Sequence, residues 1–576
     1  MKDFKDIIAE KIAVQDTGLT AEEIKEIIEI PADESMGDYA FPCFRLAKTM
    51  HRAPQQIAAE IAENAADPDN FEKVENVNAY VNFFIKRASF AGNVVSEITE
   101  KGTEYGKSTE GAGKNIVVDF SSPNIAKPFH IGHIRSTVIG NSICKLYRAL
   151  GYNVIGVNHL GDYGTQFGKM IVAYRKWGNE EELQADPIKT LLGYYTKFHE
   201  EDQKDPSLDD EARETFARLE AGEPEEVELW KKFREYSLAE FNRVYDMLGI
   251  AFDSYAGESF YSDKMPAVIE ELKEKGLLKE SQGAQVVDLE EYGLGACLIQ
   301  KSDGSSLYAT RDIATAIYRK KTYDFAKNLY VVASQQNLHF KQWKMVLKLM
   351  GYDWEKDCIH IPFGLVSYKT ESGEAAVLST RKGNVVFLED VLKNAVEKTR
   401  EIMKEKNPDM PDLDEIAKTV GIGAVIFQEL SNNRIKDYEF DWERVLNFDG
   451  ETGPYVQYTH ARACSVLRNA DESDLAAIKA GELDYTYLES DSAYALIKFL
   501  YRVPEVVKDA ADRYEPSILT RHLIDTAQAF NKFYHDEHIL TDNKDERTAR
   551  LALVAVSKTV IANCLALLGI NAPERM

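Results

Sequence analysis

Residues 116–133 read IVVDFSSPNIAKPFHIGH, and residues 153–157 read NVIGV. Ile116, Val117, Val118, Asp119 and Phe120 form the short apolar run of a strand covered on both faces, which is the habit of parallel sheets. After a proline-bearing loop, Ile139, Ile143, Leu146 and Leu150 recur at i, i+4, i+7 and i+11, a helical stripe closed by Gly151. Val154 to Val157 make a second apolar run. Strand, helix, strand is one βαβ unit opening a doubly wound parallel sheet. Leu329 to Ala333 and Ile359 to Ile361 have the same texture and supply further strands.

The flanks read differently. Phe4, Ile7, Ile8 and Ile12 mark an amphipathic first helix. Val77, Ala79, Val81, Phe83 and Ile85 are apolar at every second position, with Asn76, Asn78, Tyr80 and Asn82 between them, the period of one half-buried strand. Residues 102–114, GTEYGKSTEGAGK, read as a linker. A helical insertion separates the first βαβ unit from the later strands. Its acid runs, Asp209-Asp210-Glu211 and Glu223-Pro224-Glu225-Glu226, read as a solvated face. From Gly453 onward the pattern is helical. One stripe is Leu519, Leu523, Ala527 and Phe530, and another is Leu553, Val556, Val560, Cys564 and Leu567. The expected division is an α+β unit at 1–112, an α/β unit at 113–450 and a helical bundle at 451–576.

Sixty-nine Lys and Arg against 95 Asp and Glu give a net charge of −26 in 576 residues. A polybasic membrane or histone-like binder is excluded, while a local basic or aromatic surface for nucleic acid is not. The 6 cysteines are scattered and include no C-x-x-C pair, which argues against a zinc ribbon or a redox dithiol and fits a reducing cytosol. The N-terminus lacks the apolar segment of a secretory signal. Leu551 to Ile570 is interrupted by Ser557, Lys558, Thr559 and Asn563, so it reads as a buried helix rather than a membrane span. A cytoplasmic protein without a membrane partner is expected.

The chemistry concentrates at the strand-to-helix junction. A helix N-terminus carries unpaired N–H groups and partial positive charge, so phosphate belongs there. His130 and His133, three residues apart, can face one ligand, and Gly132 lets a flat base or sugar approach the backbone. The bland alternatives are two capping histidines or a metal pair, but no third ligand stands nearby, so no metal site is expected. A His-Ile-Gly-His string arises by chance in about one chain in a thousand of this length. Two decoys fall away. Gly102, Gly106, Lys107 and Ser108 miss the phosphate-loop spacing and follow no strand, and Gly421-Ile422-Gly423 lies inside a helical pattern.

His130-Ile131-Gly132-His133 is similar to the first signature of the class I aminoacyl-tRNA synthetases, whose catalytic domain is Rossmann-type. Four further segments narrow the resemblance: Asn158-His159-Leu160-Gly161-Asp162-Tyr163-Gly164-Thr165-Gln166-Phe167-Gly168, Tyr308-Ala309-Thr310-Arg311-Asp312, Ser334-Gln335-Gln336-Asn337-Leu338-His339, and Gly453-Pro454-Tyr455-Val456-Gln457-Tyr458-Thr459-His460-Ala461-Arg462. With the closing Pro573-Glu574-Arg575-Met576, the chain resembles the arginyl-tRNA synthetases over essentially its whole length. The second class I signature is degenerate. Val377-Leu378-Ser379-Thr380-Arg381 stands in its place, followed by Lys382-Gly383-Asn384, so Thr380 replaces the usual lysine.

The resemblance implies an arginine–tRNA ligase. It would use ATP with Mg2+ to make arginyl-adenylate, then pass arginine to the terminal ribose of tRNA(Arg). Lys127, just before the signature, would supply the charge that Thr380 lacks, with Arg381 and Lys382 as helpers. His130, Gly132, His133 and Ser379 would hold ATP. L-arginine carries a permanently charged planar fork and needs acids. By resemblance Asp312 and Glu258 take its guanidinium beside Tyr308, and Asn124 and Gln336 hold its backbone end or the pocket wall. Tyr455, Tyr458, Arg462 and Tyr534 interleave aromatic and basic groups, suited to stacking on unpaired anticodon bases, although several such aromatics must simply be core. His535 and His538 read as surface. A monomer is expected. A nucleotidyltransferase of the same superfamily, or a non-catalytic tRNA-binding paralogue, are the alternatives.

Overall fold

A computed structural model describes residues 4–301, 308–369, 375–376 and 386–576. The chain divides into two compact units: residues 1–105, 462–503 and 525–561 form one, and residues 106–461, 504–524 and 562–576 the other.

In the first unit the helix Phe4–Ala13 buries Phe4, Ile7, Ile8 and Ile12, the face its periodicity marks. Its sheet is antiparallel, β1 (Tyr39–Pro42) and β2 (Phe71–Val77) flanking β3 (Tyr80–Ile85). The single strand expected over Val77 to Ile85 is therefore the tip and return arm of a hairpin. Val77 pairs with Tyr80, and Asn78 takes φ 56° at the turn, a left-handed conformation that asparagine tolerates. Asn82, placed by the alternation on the polar side, is instead buried. Phe4, Phe90, Tyr494 and Tyr501 pack edge to face. Tyr105, inside the expected linker, is buried, and its hydroxyl donates to the Leu500 carbonyl. The helix Lys544–Leu567 is long and apolar enough to cross a bilayer. However, Leu551, Leu553, Val554 and Val560 are wholly enclosed by protein, so the apolar run is core.

The second unit holds the parallel sheet. Its strands, in chain order, are β4 (Asn115–Asp119), β5 (Asn153–Val157), the meander β6 (Leu278–Ser281), β7 (Ala284–Asp288) and β8 (Ala296–Gln300), then β9 (Phe325–Ala333), β10 (Cys358–Phe363), β11 (Val366–Lys369), β12 (Ala375–Ala376) and β13 (Tyr438–Phe440). The spatial order β10-β9-β4-β5 is parallel throughout. From β4 the chain steps to one side for β5 and later to the other for β9 and β10. The crevice at the carboxyl ends of β4 and β9 is thus the switch point where doubly wound sheets bind ligands. The signature loop leaves β4 there, and Ser334–Gln336 leave β9 there. Gly421 and Gly423 serve close packing: a Cβ on the first would sit 2.8 Å from the Ala395 carbonyl oxygen, and one on the second 2.8 Å from Gln457 Nε2.

The acid runs of the insertion are not uniformly solvated. Glu226 is buried, with Arg175 at 3.0 Å and Arg218 at 2.9 Å, whereas Glu225 stays exposed. Glu226 belongs to the long helix Pro224–Leu248, whose Trp230, Arg234, Ser237, Phe241 and Tyr245 form one stripe. That stripe faces the signature loop. Ser237 Oγ accepts from the Ala126 N–H at 2.8 Å, and Tyr245 Oη meets Ser121 Oγ at 2.8 Å and Asn158 Nδ2 at 3.0 Å.

The signature helix, Ile134–Ala149, lies close against the end of β4. A Cβ on Gly140 would sit 2.2 Å from the Phe120 Cβ and 2.3 Å from its Cγ. Arg135, fully buried on the same helix, donates to the carbonyls of Gly364 at 2.9 Å and Lys436 at 2.8 Å, with Glu429 3.6 Å away. Gly140→Ala should therefore force the helix off the strand and cost about 1–3 kcal/mol. A fall in the urea midpoint at an unchanged m-value checks this.

Candidate active site

The signature loop is held in an uncommon backbone conformation. Ser121, Ser122 and Ala126 take φ of 67°, 47° and 59°. Each left-handed non-glycine residue costs about 1–2 kcal/mol, so the surroundings must over-determine the shape. Ser136 Oγ accepts from the Ser121 N–H at 2.9 Å and donates to the Val331 carbonyl at 2.7 Å, while Thr137 Oγ1 meets Ser121 Oγ at 2.8 Å. On the far side Asn124 forms a parallel bridge with Gly161, and a Cβ there would meet Asn124 Oδ1 at 2.1 Å.

His130 and His133 close the loop as a reciprocal cap. Gly132 N–H donates to His130 Nδ1 at 3.1 Å, and His130 N–H donates to His133 Nδ1 at 3.2 Å. With His130 Nδ1 accepting, the proton of that neutral ring sits on Nε2, whereas His133 Nδ1 lies 3.2 Å from both the N–H and the carbonyl oxygen of His130, so either tautomer fits. Burial, then the nearby Lys127, lowers the His130 pKa to about 4. Burial, then His130 and the other neighbours, lowers that of His133 to about 3. Both rings are therefore neutral donors at physiological pH, and Lys127 brings the positive charge. Its Nζ lies 5.5 Å from the centroid of the Tyr195 ring, contributed by the insertion. Ser379, Thr380, Arg381 and Lys382 lie outside the described residues. Those that follow pair with the first signature: Ile131 N–H donates to the Val386 carbonyl at 3.1 Å, and Leu388 N–H to the Phe129 carbonyl at 2.9 Å.

A second cluster adjoins the loop. Asp162, fully buried, accepts from the Ser259 N–H at 2.8 Å, the Ser259 hydroxyl at 3.0 Å and Arg234 Nε at 3.1 Å. Glu258 N–H donates to the Leu160 carbonyl at 2.9 Å, so the bend at 160–162 positions that acid. The helix Tyr308–Tyr323 brings in the rest. Glu258 forms an ion pair with Arg311 at 3.0 Å, and Asp312 meets His339 Nε2 at 2.5 Å. Burial pushes the Glu258 carboxyl up to about 7, partly offset by Arg311. Two turns beyond Asp312, Arg319 has no exposed surface and pairs with Asp119 at 2.8 Å. Ser122 Oγ donates to the other Asp119 oxygen at 2.9 Å.

Lys127, His130 and His133 thus stand together, as do Glu258, Tyr308 and Asp312, while Asn124 and Gln336 lie exposed at the carboxyl ends of β4 and β9. Asp162, Arg311, Arg319 and His339 were not singled out. Three of them stand inside quoted segments, but nothing in a linear string shows which charges are buried in pairs. In the C-terminal helices, Tyr458 and Tyr534 are exposed, and the Arg462 guanidinium lies 5.2 Å from the Tyr534 ring centroid. His460 is unavailable for a base: it is buried and meets the Pro573 carbonyl at 2.9 Å.

The family model for the catalytic domain of class I tRNA synthetases (R) matches residues 94–442. The chain belongs to the arginyl-tRNA synthetase family. The family's N-terminal domain matches residues 2–85, and the DALR anticodon binding domain matches 456–576. Relatives named arginine–tRNA ligase are 56% identical in Halothermothrix orenii and 54% in Clostridioides difficile, each over 100% of both chains. Among solved structures, the arginyl-tRNA synthetases of Thermus thermophilus and Plasmodium falciparum superpose with TM-scores of 0.80 and 0.79 at 24% identity, covering all of this chain and 99% and 98% of theirs. At that identity they attest the synthetase fold: a Rossmann-type catalytic core with an N-terminal domain and a helical C-terminal domain.

The Asp119–Arg319 pair carries a stability prediction. Asp119→Asn leaves the Arg319 charge buried without a counter-charge, which should destabilise the synthetase by about 3–5 kcal/mol. Chemical denaturation of the variant against the parent chain measures it. A loss below 1 kcal/mol would mean the pair is not holding the pocket helix to β4.

Proposed function

We infer that the chain is an arginine–tRNA ligase that activates L-arginine with MgATP and transfers it to the 3′-terminal ribose of tRNA(Arg). The observation that carries this is a juxtaposition. A neutral-histidine and lysine phosphate cradle at the sheet's switch point adjoins a pocket of two carboxylates and a tyrosine suited to a guanidinium. Family membership along the whole chain favours this reading over a nucleotidyltransferase, which needs neither flanking domain. The presence of Lys127, His130, His133, Glu258 and Asp312 argues against a paralogue without catalysis.

The arginine carboxylate attacks the α-phosphorus of ATP, the bond to the β-phosphate oxygen breaks, and pyrophosphate leaves. Both reacting groups belong to the substrates, so the protein contributes positioning and charge stabilisation. The Nε2–H groups of His130 and His133 donate to phosphate oxygens as negative charge shifts toward the leaving group. Lys127 adds a compact positive charge there, assisted by Arg381 and Lys382. Gly132 and Ser379 line the nucleotide. Asp312 and Glu258 take the guanidinium beside Tyr308, and Asn124 and Gln336 hold the amino-acid end. Among the described residues no group of three or more His, Cys, Asp or Glu could hold a metal ion. Mg2+ would be carried on the ATP phosphates, as is usual for nucleotide-bound magnesium.

The working division is a tRNA-contacting domain at 1–112, the catalytic domain at 113–450 and the anticodon-binding domain at 451–576. Tyr455, Tyr458, Arg462 and Tyr534 contact tRNA. The enzyme acts as a cytoplasmic monomer. Isotopic ATP–pyrophosphate exchange with each of the twenty amino acids, with and without tRNA(Arg), tests the assignment, and exchange with any amino acid but arginine would overturn it.

Two variants separate the subsites. Lys127→Ala should lower single-turnover adenylate formation by ~10²–10³ while leaving ATP binding nearly intact, because the charge it meets develops in the transition state. Thr380→Lys should restore part of that loss. Asp312→Asn should weaken arginine by about 2–5 kcal/mol and spare ATP. Steady-state KM values for the two substrates, measured in the same assay, distinguish the outcomes.

A further inference from the structure

A guanidinium belonging to the chain itself already occupies part of the arginine pocket. Arg311 is 6% exposed, and its Nη1 lies 3.0 Å from Glu258 Oε1. Its Cζ sits 5.1 Å from the Tyr163 ring centroid and 5.4 Å from that of Tyr308. Tyr163 is itself anchored, its hydroxyl donating to Glu220. A planar cation stacked between two rings and bound to a carboxylate has little freedom to leave.

We propose that Arg311 is a positioning residue for arginine recognition: its stacked guanidinium holds one oxygen of Glu258 and so presents the other, charged, to the substrate guanidinium. This rests on the reading of Glu258 as an arginine-binding acid. A carboxylate has lone pairs on both oxygens, so the pairing with Arg311 leaves Oε2 for a second fork. The main chain of Glu258 is fixed by its bond to the Leu160 carbonyl, and the 3.0 Å ion pair, which lacks hydrogen-bond geometry, restrains the side chain electrostatically.

The surrounding charges explain why such a partner is needed. Asp162 and Asp312 both face Glu258, with Tyr308 beside it. Arg234 is paired to Asp162, and His339 to Asp312. Among the described residues, Arg311 is the one ion-pair partner of Glu258. Burial and two neighbouring acids favour the protonated carboxyl, and Arg311 opposes them. Removing its charge raises the Glu258 pKa above about 7. Arginine binding uses the ionised form, so activity lost on acidification is then lost at higher pH than in the parent enzyme.

The experiment is the pH profile of kcat/KM for arginine in tRNA charging by the full-length enzyme at saturating ATP, comparing the parent with Arg311→Gln, Arg311→Lys and Glu258→Gln. Arg311→Gln should move the acid limb up by about one unit, lowering kcat/KM at pH 7 about fivefold and recovering above pH 8.5, with the KM for ATP unchanged. Arg311→Lys keeps the charge and should move the limb by less than half as much. If the glutamine variant does not fold, Arg311→Met fills the space between the rings without charge and carries the same expectation. Loss of activity with the acid limb in its parental place would overturn the proposal, since a purely structural role lowers the whole profile. Glu258→Gln with an unaltered arginine KM would instead remove Glu258 from the pocket, which separates failure of the functional reading from failure of this one.

Discussion

The buried ion pair between Asp119 and Arg319 is the contact on which the site's geometry depends. Asp119 ends the central strand of the parallel sheet, and Arg319 projects from the helix that carries Tyr308, Arg311 and Asp312. Two charges removed from water attract strongly only when the geometry is fixed, and either one alone is costly. The pair therefore ties the strand that launches the signature loop to the helix that carries Arg311 and Asp312. The second oxygen of Asp119 takes Ser122, and Ser122 Oγ in turn accepts from the His159 N–H at 3.1 Å, so one carboxylate organises three chain segments.

Around that pair the charges alternate. Arg234 faces Asp162, Arg311 faces Glu258 and His339 lies against Asp312, so each of these acids has a partner of its own. The proposed phosphate cradle works differently. Burial keeps both of its histidines neutral, so the positive charge there is that of Lys127.

How much of this was legible in the sequence depends on the range of the interaction. The parallel strands and the signature helix follow from local periodicity; the observed strands reach one to four residues past the apolar runs at an end, except that β4 stops at Asp119, one short of Phe120, and the helix starts at Ile134, five residues before its stripe. The hairpin at Asn78 escaped because a two-residue turn preserves the alternation: Val77, Ala79 and Val81 keep one phase straight through the reversal. Glu226 escaped for a different reason. An acid in a charged run looks solvated until Arg175 and Arg218, 51 and 8 residues away, arrive beside it. The phosphate loop could be read because one contiguous string builds it. Glu258, Arg311 and His339 come from separate segments; the family resemblance named Glu258, and nothing in the string singled out the other two.

The helix Pro224–Leu248 sits within a segment that interrupts the alternation of strands and helices, and such segments invite description as detachable ornaments. Its contacts forbid that description. Trp230 Nε1 donates to the Asp162 carbonyl at 2.8 Å, Arg234 neutralises the Asp162 side chain, Ser237 takes the Ala126 N–H, and Tyr245 takes Ser121 and Asn158. Two rungs of one helix thus hold the left-handed loop, and two more hold Asp162. A minimal core made by excising the insertion would take away the partners of both the signature loop and Asp162. The boundary of the smallest autonomous catalyst in this chain therefore runs outside the insertion, not around the sheet.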